Sequence, residues 1–219
     1  MTAQTNPSQA ARFANIVERM QSMLSEDLAA TEALLIERAK SPVDVIPDLS
    51  GYIVSAGGKR LRPMITLIAA PACGGTNPGT HALATAVEFI HTAPLLHDDV
   101  VDDSDLRRGK KAAKNVCGNN ASILVGDFLF ARAFTLMVET GSLDILRSLS
   151  TASSVIAEGE VHQLAAASRT ALPTEEYLAI IEAKTAALFE AAAEAGALSA
   201  GTENADHAAA LAAYGKNLG

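Results

Sequence analysis

The feature that most constrains the fold is a long apolar segment, Thr80–Val101, that runs directly into a cluster of acids. The segment shows no two-residue alternation and predicts a buried helix. Five carboxylates then fall within residues 98–105. On a helix, Asp98 and Asp102 lie four residues apart on one face, with Asp99 beside them. Like charges at that spacing repel each other unless a cation lies between them.

Two arginines, Arg107 and Arg108, follow these acids, and the two kinds of side chain suit different parts of one ligand. Carboxylate oxygens suit Mg²⁺, which usually bridges carboxylates to substrate phosphates. The arginines would hold those phosphates. The alternative is a solvated acidic helix end followed by a turn. The apolar approach and the Arg-Arg-Gly exit favour the metal site.

The rest of the chain also follows helical periodicity, so the predicted fold class is all-α. Ser41-Pro42 ends the first helix, because proline disfavours helical geometry in the residue before it. Residues 106–118 are basic, contain glycine and are predicted to be irregular. The predicted helices cover residues 9–40, 43–55, 63–73, 80–101, 119–139, 142–167, 174–199 and 203 to the end.

Composition and charge argue against several other classes of protein. Apolar residues make up 49% of the chain and charged residues 19%, which argues against disorder. The net charge of −8 gives no support to nucleic-acid binding, which needs a basic face. The longest apolar run, Met64–Cys73, is too short to cross a bilayer, and the N-terminus does not resemble a signal peptide. We therefore expect a cytoplasmic protein without a transmembrane segment.

A second concentration of cations lies in the segment GGKRLRP, residues 57–63. Paired glycines let the backbone approach a ligand closely, and three cations follow at a predicted helix N-terminus. This chemistry suits a diphosphate. A basic turn after Gly-Gly also occurs at ordinary helix boundaries, so both interpretations stay open for this segment taken alone.

Two further positions are candidates because of their place in apolar helices. His91 precedes Asp98 by seven residues, about two helical turns, and so lies on nearly the same stripe as the acids. A histidine in an apolar helix is otherwise a core residue. Lys184 and Thr185 interrupt an alanine-rich segment and could reach a phosphate, although a lysine there could also extend to the surface.

Taken together, these elements resemble the trans-isoprenyl diphosphate synthases, the polyprenyl synthetase family. The resemblance covers residues 50–219. Its motifs occur in the order GGKRLRP at 57–63, EFIHTAPLLHDDVVDDSDLRRG at 88–109, VGDFLFARAF at 125–134, EGE followed by Gln163, and EAKTAALFEAA at 182–192. The resemblance implies a bundle of mostly antiparallel helices around a deep central cavity, in a homodimer.

The resemblance also implies roles for the matching residues. Isopentenyl diphosphate would be held by Lys59, Arg62, His91 and Arg108. Mg²⁺ would be held by Asp98, Asp99 and Asp102, with Asp98 and Asp102 as the direct ligands. The allylic diphosphate, of the farnesyl or geranyl class, would be held by Arg107, Lys184 and Thr185. The catalytic set would be Asp98, Asp102, Arg107 and Lys184.

The family's chemistry makes product length depend on the cavity beneath the acids. The metal and the cations withdraw charge from the allylic diphosphate, whose carbon–oxygen bond ionises in a dry apolar cavity. The isopentenyl double bond then attacks the carbocation. Bulk near the position five residues before the first aspartate closes the cavity, and that position here is Ala93. The resemblance therefore implies a long-chain product, as in enzymes that make quinone side chains.

The chain departs from the family pattern in one respect. Family members carry a second aspartate-rich motif soon after a segment like residues 214–219, and no such cluster occurs between Thr140 and Gly219. We therefore expect residues 1–219 to form a single, incomplete polyprenyl synthetase domain that lacks the C-terminal helices. Two other interpretations stay open. One is a non-catalytic diphosphate-binding or regulatory subunit, or an inactive fragment. The other is a class I terpene cyclase, which would not need the GGKRLRP segment or His91.

Overall fold

The central helix of the fold runs from Thr80 to Val101 and is buried along most of its length. The computed structural model describes residues 7–75, 79–169, 171–201 and 205–219. Within these ranges the regular structure is helical apart from one short β-hairpin, which confirms the all-α fold class. In chain order the elements are α1 (Pro7–Met23), α2 (Ser25–Arg38), α3 (Val45–Ser55), α4 (Leu61–Ala72), α5 (Thr80–Val101), β1 (Leu106–Arg107), β2 (Lys110–Lys111), α6 (Lys114–Cys117), α7 (Asn119–Glu139), α8 (Leu143–Ala166), α9 (Thr174–Ile181), a π-helical segment (Glu182–Ala186), α10 (Ala187–Leu198) and α11 (Ala205–Leu218).

The predicted helix over residues 9–40 is in fact two helices, α1 and α2, which meet at Leu24. Leu24 leaves the helical region at φ −105° and ψ 17°, and its side chain is buried beside Val17 and Met64. A new helix begins with Ser25-Glu26-Asp27, because acids in a first turn interact favourably with the helix dipole. The start of the last predicted helix, residues 203 and 204, lies outside the described residues.

The segment after α5, predicted to be irregular, instead contains the hairpin of β1 and β2. Arg107 pairs with Lys110, and the two-residue turn between them is Arg108-Gly109. Both turn residues have positive φ, 51° and 78°, as a type I′ turn requires. The Tyr52 hydroxyl of α3 donates a 2.7 Å hydrogen bond to the Lys111 carbonyl, which attaches the hairpin to the bundle. Two consecutive arginines are thereby fixed near the end of α5.

The predicted helix over residues 174–199 is interrupted by the π-helical segment Glu182–Ala186. Short π-turns of this kind are frequent at functional sites, and Lys184 lies in the middle of this one. The segment packs closely on α8 at Gly159. A Cβ at Gly159 would lie 2.8 Å from Ala183 Cβ and 3.2 Å from Lys184 Cγ. The missing side chain therefore lets Lys184 approach α8.

The core surrounds α5, which packs against α7 on one side and α10 on another. Phe89 of α5, Leu129 of α7 and Leu188 of α10 are among its fully buried side chains. Helix α10 also approaches α4 closely at Gly196, where an added Cβ would lie 2.4 Å from the Thr66 carbonyl oxygen. Small residues thus set the distance between these helices.

Helix α7 is the one helix in the described part of the chain that is long and apolar enough to cross a membrane, by length and composition. The interior helix of a water-soluble protein shares these two properties. Leu129 and Ala133 of α7 are fully buried in the core, whereas Leu124 and Val138 are exposed. One face of α7 is therefore packed inside the bundle.

Candidate active site

Four predicted binding residues meet in a cavity of about 340 Å³ at the start of α4. Lys59 and Arg62 come from the GGKRLRP segment, His91 from α5 and Arg108 from the hairpin turn. Gly58 permits this meeting, because a Cβ there would lie 2.7 Å from Arg108 Nη1. We call this cavity the basic site; it is lined by Gly58, Lys59, Arg60, Leu61, Arg62, Glu88, His91 and Arg108.

His91 is neutral in the basic site. Burial, and then the charges of the surrounding arginines, lower the pKa of His91 to about 3. Arg62 Nη1 lies 3.4 Å from His91 Nε2. Because arginine has only donors, Nε2 is the acceptor and the ring proton is on Nδ1. Burial lowers the pKa of Arg62 to about 10, an effect that Glu88 opposes, so Arg62 stays charged at neutral pH. The site therefore combines charged donors with a neutral imidazole, which suits an anion.

Two further residues of the basic site, Arg60 and Glu88, were not among the predicted binding residues. Glu88 is buried in α5, and its carboxylate accepts a hydrogen bond from Arg60 Nη1. Burial raises the pKa of Glu88, while Arg60, Arg62 and Arg108 lower it. The sequence did carry a signal, since Glu88 is the lone acid in the apolar part of α5 and precedes His91 by three residues. That spacing places both side chains on one helical face.

Asp98 and Asp102 line a second, larger cavity of about 440 Å³, as their spacing predicted. Most of its lining is apolar and comes from α5, α7 and α8, with Phe130 and Ile156 among the larger side chains. Ala93 is fully buried in the wall of the same cavity. We call this cavity the acidic site.

Lys184 of the π-helical segment lies beside the acidic site. Its Nζ lies 2.6 Å from Glu160 Oε2 and 4.0 Å from Asp98 Oδ2, and it donates a 2.7 Å hydrogen bond to Gln163 Oε1. Burial, and then the charge of Glu160, raise the pKa of Asp98 to about 6, whereas Lys184 lowers it. The ammonium group is therefore held next to Asp98 by two side chains of α8.

Asp99 differs from Asp98 and Asp102. Its side chain is fully buried and accepts a 2.7 Å hydrogen bond from Arg107 Nε, while its Oδ2 is buried without a hydrogen-bond partner. Asp99 is not among the residues that line the acidic site. Asp103 binds Lys114 and also lies outside that cavity. Two of the five acids, Asp98 and Asp102, therefore face the cavity, and two others bind basic side chains, whereas Asp105 accepts a hydrogen bond from the Asn115 amide.

A smaller cavity, of about 190 Å³, lies between the two sites. Arg62 and His91 of the basic site line it, together with Asp98 of the acidic site and with Lys184 and Thr185. Two anions bound in the basic and acidic sites would therefore be neighbours.

Four carboxylates line the acidic site, those of Asp98, Asp102, Asp127 and Glu160, and the first two are the predicted metal ligands. Mg²⁺ is commonly bound by one or two carboxylates together with substrate phosphates, so this pair fits it. Within the described ranges, no group of three or more histidine, cysteine or acidic side chains is arranged to hold a metal. A metal held by Asp98 and Asp102 would therefore take further oxygen ligands from water or from a bound phosphate.

These features define a class of protein: an all-α bundle in which a basic site adjoins an acidic site with a mostly apolar lining. The chain belongs to the polyprenyl synthetase family, whose model matches residues 43–219. This confirms the family predicted from the motifs. Octaprenyl diphosphate synthase of Escherichia coli K12 is 46% identical over 203 residues, which are 93% of this chain and 62% of that protein.

Solved structures show the same relationship. A polyprenyl synthase from Caulobacter crescentus CB15, complexed with calcium and isoprenyl diphosphate, is similar at a TM-score of 0.90 and 54% identity. A decaprenyl diphosphate synthase from Rhodobacter capsulatus is similar at a TM-score of 0.87 and 48% identity. Each comparison covers 93% of this chain and 62% of the other. The chain thus spans less than two thirds of the length of these relatives.

Proposed function

We propose that the chain carries the substrate sites of a prenyltransferase that condenses isopentenyl diphosphate with an allylic diphosphate. Its product would be a long-chain trans-polyprenyl diphosphate for quinone side chains. The observation that carries the proposal is the cavity between the basic and acidic sites, because the reaction needs two diphosphates side by side. Relatives named octaprenyl and decaprenyl diphosphate synthases support the same substrate class.

In this proposal the basic site binds isopentenyl diphosphate. Lys59, Arg62 and Arg108 supply positive charge, and arginine forms charge-assisted, often bidentate hydrogen bonds with phosphate. His91 adds a neutral Nδ1 donor. The chain has a net charge of −8, so a local concentration of cations is needed to attract an anionic substrate.

The acidic site would bind the allylic diphosphate, of the farnesyl or geranyl class, together with Mg²⁺. Asp98 and Asp102 would hold the metal, which when bound neutralises negative charge on the leaving diphosphate. Lys184, Thr185 and Arg107 would contact the same diphosphate. We assign Asp99, which the resemblance groups with the metal ligands, to the positioning of Arg107.

The chain's residues then support ionisation and carbon–carbon bond formation. The allylic carbon–oxygen bond breaks, and the leaving diphosphate takes the electron pair while Lys184 and Arg107 stabilise its charge. The isopentenyl double bond attacks the carbocation, and transfer of a proton to the released pyrophosphate completes the addition of one isoprene unit. The apolar lining of the acidic site would keep water from the carbocation. Ala93 in that lining leaves room for a growing chain.

We also propose a cytoplasmic homodimer, with residues 1–219 in one domain. Leu124 and Val138 are exposed on α7, and contiguous exposed apolar surface is typical of protein interfaces. The buried face of the same helix supports its assignment as an interior helix of a water-soluble protein.

Calorimetric titration of this chain tests the two sites separately. Isopentenyl diphosphate should bind without Mg²⁺ and lose affinity in Arg62→Ala, whereas farnesyl diphosphate should require Mg²⁺ and lose affinity in Asp102→Asn. Asp103→Asn is the matched control, because it removes a charge from the same cluster outside the cavity. A radiolabelled elongation assay follows, with the E. coli octaprenyl synthase as the positive control. Binding without elongation would favour the non-catalytic diphosphate-binding subunit or inactive fragment, and no binding would overturn the proposal.

A further inference from the structure

Arg60 lies in the basic site, but its guanidinium group is already engaged by the protein. Nη1 donates to Glu88, and Nη2 donates to the Val54 carbonyl at 3.0 Å. Nε lies 3.5 Å from Glu32 Oε1. The side chains of Arg60 and Glu88 are 10% and 7% exposed, so their ion pair is almost entirely removed from water. Two hydrogen bonds therefore hold the Arg60 guanidinium to the protein, while its Nε is buried without a hydrogen-bond partner.

The backbone at Arg60 is also unusual. Its φ of 50° and ψ of 34° lie in the left-handed region, which costs a residue other than glycine about 1–2 kcal/mol. Arg60 is also where α4 begins, since its carbonyl accepts a 2.9 Å hydrogen bond from the Met64 N–H. A strained conformation persists where the surrounding structure determines it. At Arg60 the side chain supplies those constraints, through its hydrogen bonds to Val54 of α3 and Glu88 of α5.

Glu88 is the one acid among the residues that line the basic site, which also contains Lys59, Arg60, Arg62 and Arg108. The charge of Glu88 partly offsets the effect of burial on Arg62 and so helps to keep that guanidinium protonated. Charge counting alone predicts that an anion would bind more tightly without Glu88. The geometry predicts the opposite, because Glu88 binds the side chain that fixes the turn between Lys59 and Arg62.

We infer that Glu88 and Arg60 are positioning residues for the isopentenyl diphosphate site. Glu88 holds the Arg60 guanidinium, and Arg60 holds the left-handed turn that places Lys59 and Arg62 at the start of α4. Neither member of the pair contacts the diphosphate. This inference rests on the proposed function, because it takes the ligand of the basic site to be isopentenyl diphosphate.

A double-mutant cycle tests the inference on the 219-residue chain, with isopentenyl diphosphate as the titrant in calorimetry. Glu88→Gln and Arg60→Met should each weaken binding roughly tenfold, or about 1.4 kcal/mol. The double variant should bind isopentenyl diphosphate no more weakly than the single variant with the lower affinity, because both changes remove the same interaction. Glu32→Gln is the matched control, since Glu32 is 54% exposed and lies 3.5 Å from Arg60; its affinity should stay within about twofold.

Affinity for farnesyl diphosphate with Mg²⁺ distinguishes positioning from a general loss of structure. It should stay within about twofold in Glu88→Gln and Arg60→Met, whereas global destabilisation would lower both affinities. If either variant fails to fold by circular dichroism, Glu88→Asp and Arg60→Lys take its place. These keep the charges and change the geometry, and they should still weaken isopentenyl diphosphate binding selectively.

Three results have distinct meanings. Tighter or unchanged isopentenyl diphosphate binding in Glu88→Gln would overturn the positioning role and leave the proposed function intact. The positioning role would also be overturned if the fold-loss of affinity in the double variant equalled the product of the two single losses, because the two residues would then act independently. No binding by the unmodified chain would overturn the proposed function itself, and the inference with it.

Discussion

The ion pair between Asp99 and Arg107 gives the most direct test of how the acidic cluster is divided. Arg107→Ala removes the hydrogen-bond partner of a carboxylate that is fully buried. Removing one partner of a buried pair destabilises a protein by about 3–5 kcal/mol, because an uncompensated charge is left behind. Arg107 is 25% exposed, so water screens the pair in part. We therefore expect a loss of about 3 kcal/mol in the free energy of unfolding, at the lower end of that range.

The assay is urea unfolding at neutral pH, followed by circular dichroism. Arg107→Ala combined with Asp99→Asn should recover most of the lost stability, since no buried unpaired charge then remains. Arg147→Ala is the control, because its ion pair with Asp144 is exposed on both sides and should contribute less than about 1 kcal/mol. A loss of stability in Arg107→Ala no larger than in this control, or additive losses in the double variant, would show that Asp99 and Arg107 do not form a stabilising buried ion pair.

The same pair also separates Asp99 from the proposed metal ligands. Asp99→Asn should leave the Mg²⁺ requirement for farnesyl diphosphate binding intact, because Asp99 acts through Arg107. Asp98→Asn should weaken the Mg²⁺-dependent binding by roughly tenfold or more, since it removes a direct ligand. Equal losses of Mg²⁺ dependence in both variants would place Asp99 among the ligands and contradict our assignment.

Three further outcomes are expected from other parts of the structure. Ala93→Phe adds bulk to the wall of the acidic site and should shorten the elongation product on thin-layer chromatography; an unchanged length would exclude Ala93 as a determinant. His91→Gln should flatten the dependence of stability on pH, because the unfolded chain takes up a proton near pH 6.5 that folded His91 accepts only near pH 3. Stability is thus lost as pH falls, by about 2 kcal/mol at pH 5 relative to neutral pH, and urea titrations should show this loss only with His91 present. Gly196→Ala should lower the free energy of unfolding by about 1–3 kcal/mol, because the new methyl group would contact Thr66. Gly51→Ala places the methyl group in open space and should raise the free energy of unfolding by about 0.5 kcal/mol. Equal urea midpoints for the two variants would contradict both expectations.

The side chains of α5 that line the cavities could be predicted to lie together because helical spacing determines which side chains share a face. Asp98 and Asp102 line one cavity, and His91, seven residues before Asp98, lines an adjoining one. The partners of Glu88 and Asp99 could not be predicted in the same way. They come from the GGKRLRP turn and the hairpin, and how these segments fold back onto α5 is a tertiary property without a local signal.

Helix interruptions were missed for a different physical reason. Apolar periodicity continues through Leu24, which separates α1 from α2, and through the π-helical segment Glu182–Ala186. A periodic pattern is averaged over several turns, so a change of phase within one turn hardly alters it. That small change matters at Lys184, which lies inside the π-turn and beside the acidic site.

The acids of α5 divide by helical phase. Glu88 and Asp99 are eleven residues apart, three turns plus about 20°, so they face nearly the same side of the helix. Both are buried, and each binds an arginine that lies close in the chain to Arg62 or to Arg108 of the basic site. Asp98 is turned about 100° from Asp99 and faces the acidic site instead. One helix therefore contributes to both sites: its buried acids bind arginines, and its cavity-facing acids are the ones to which we assign metal binding.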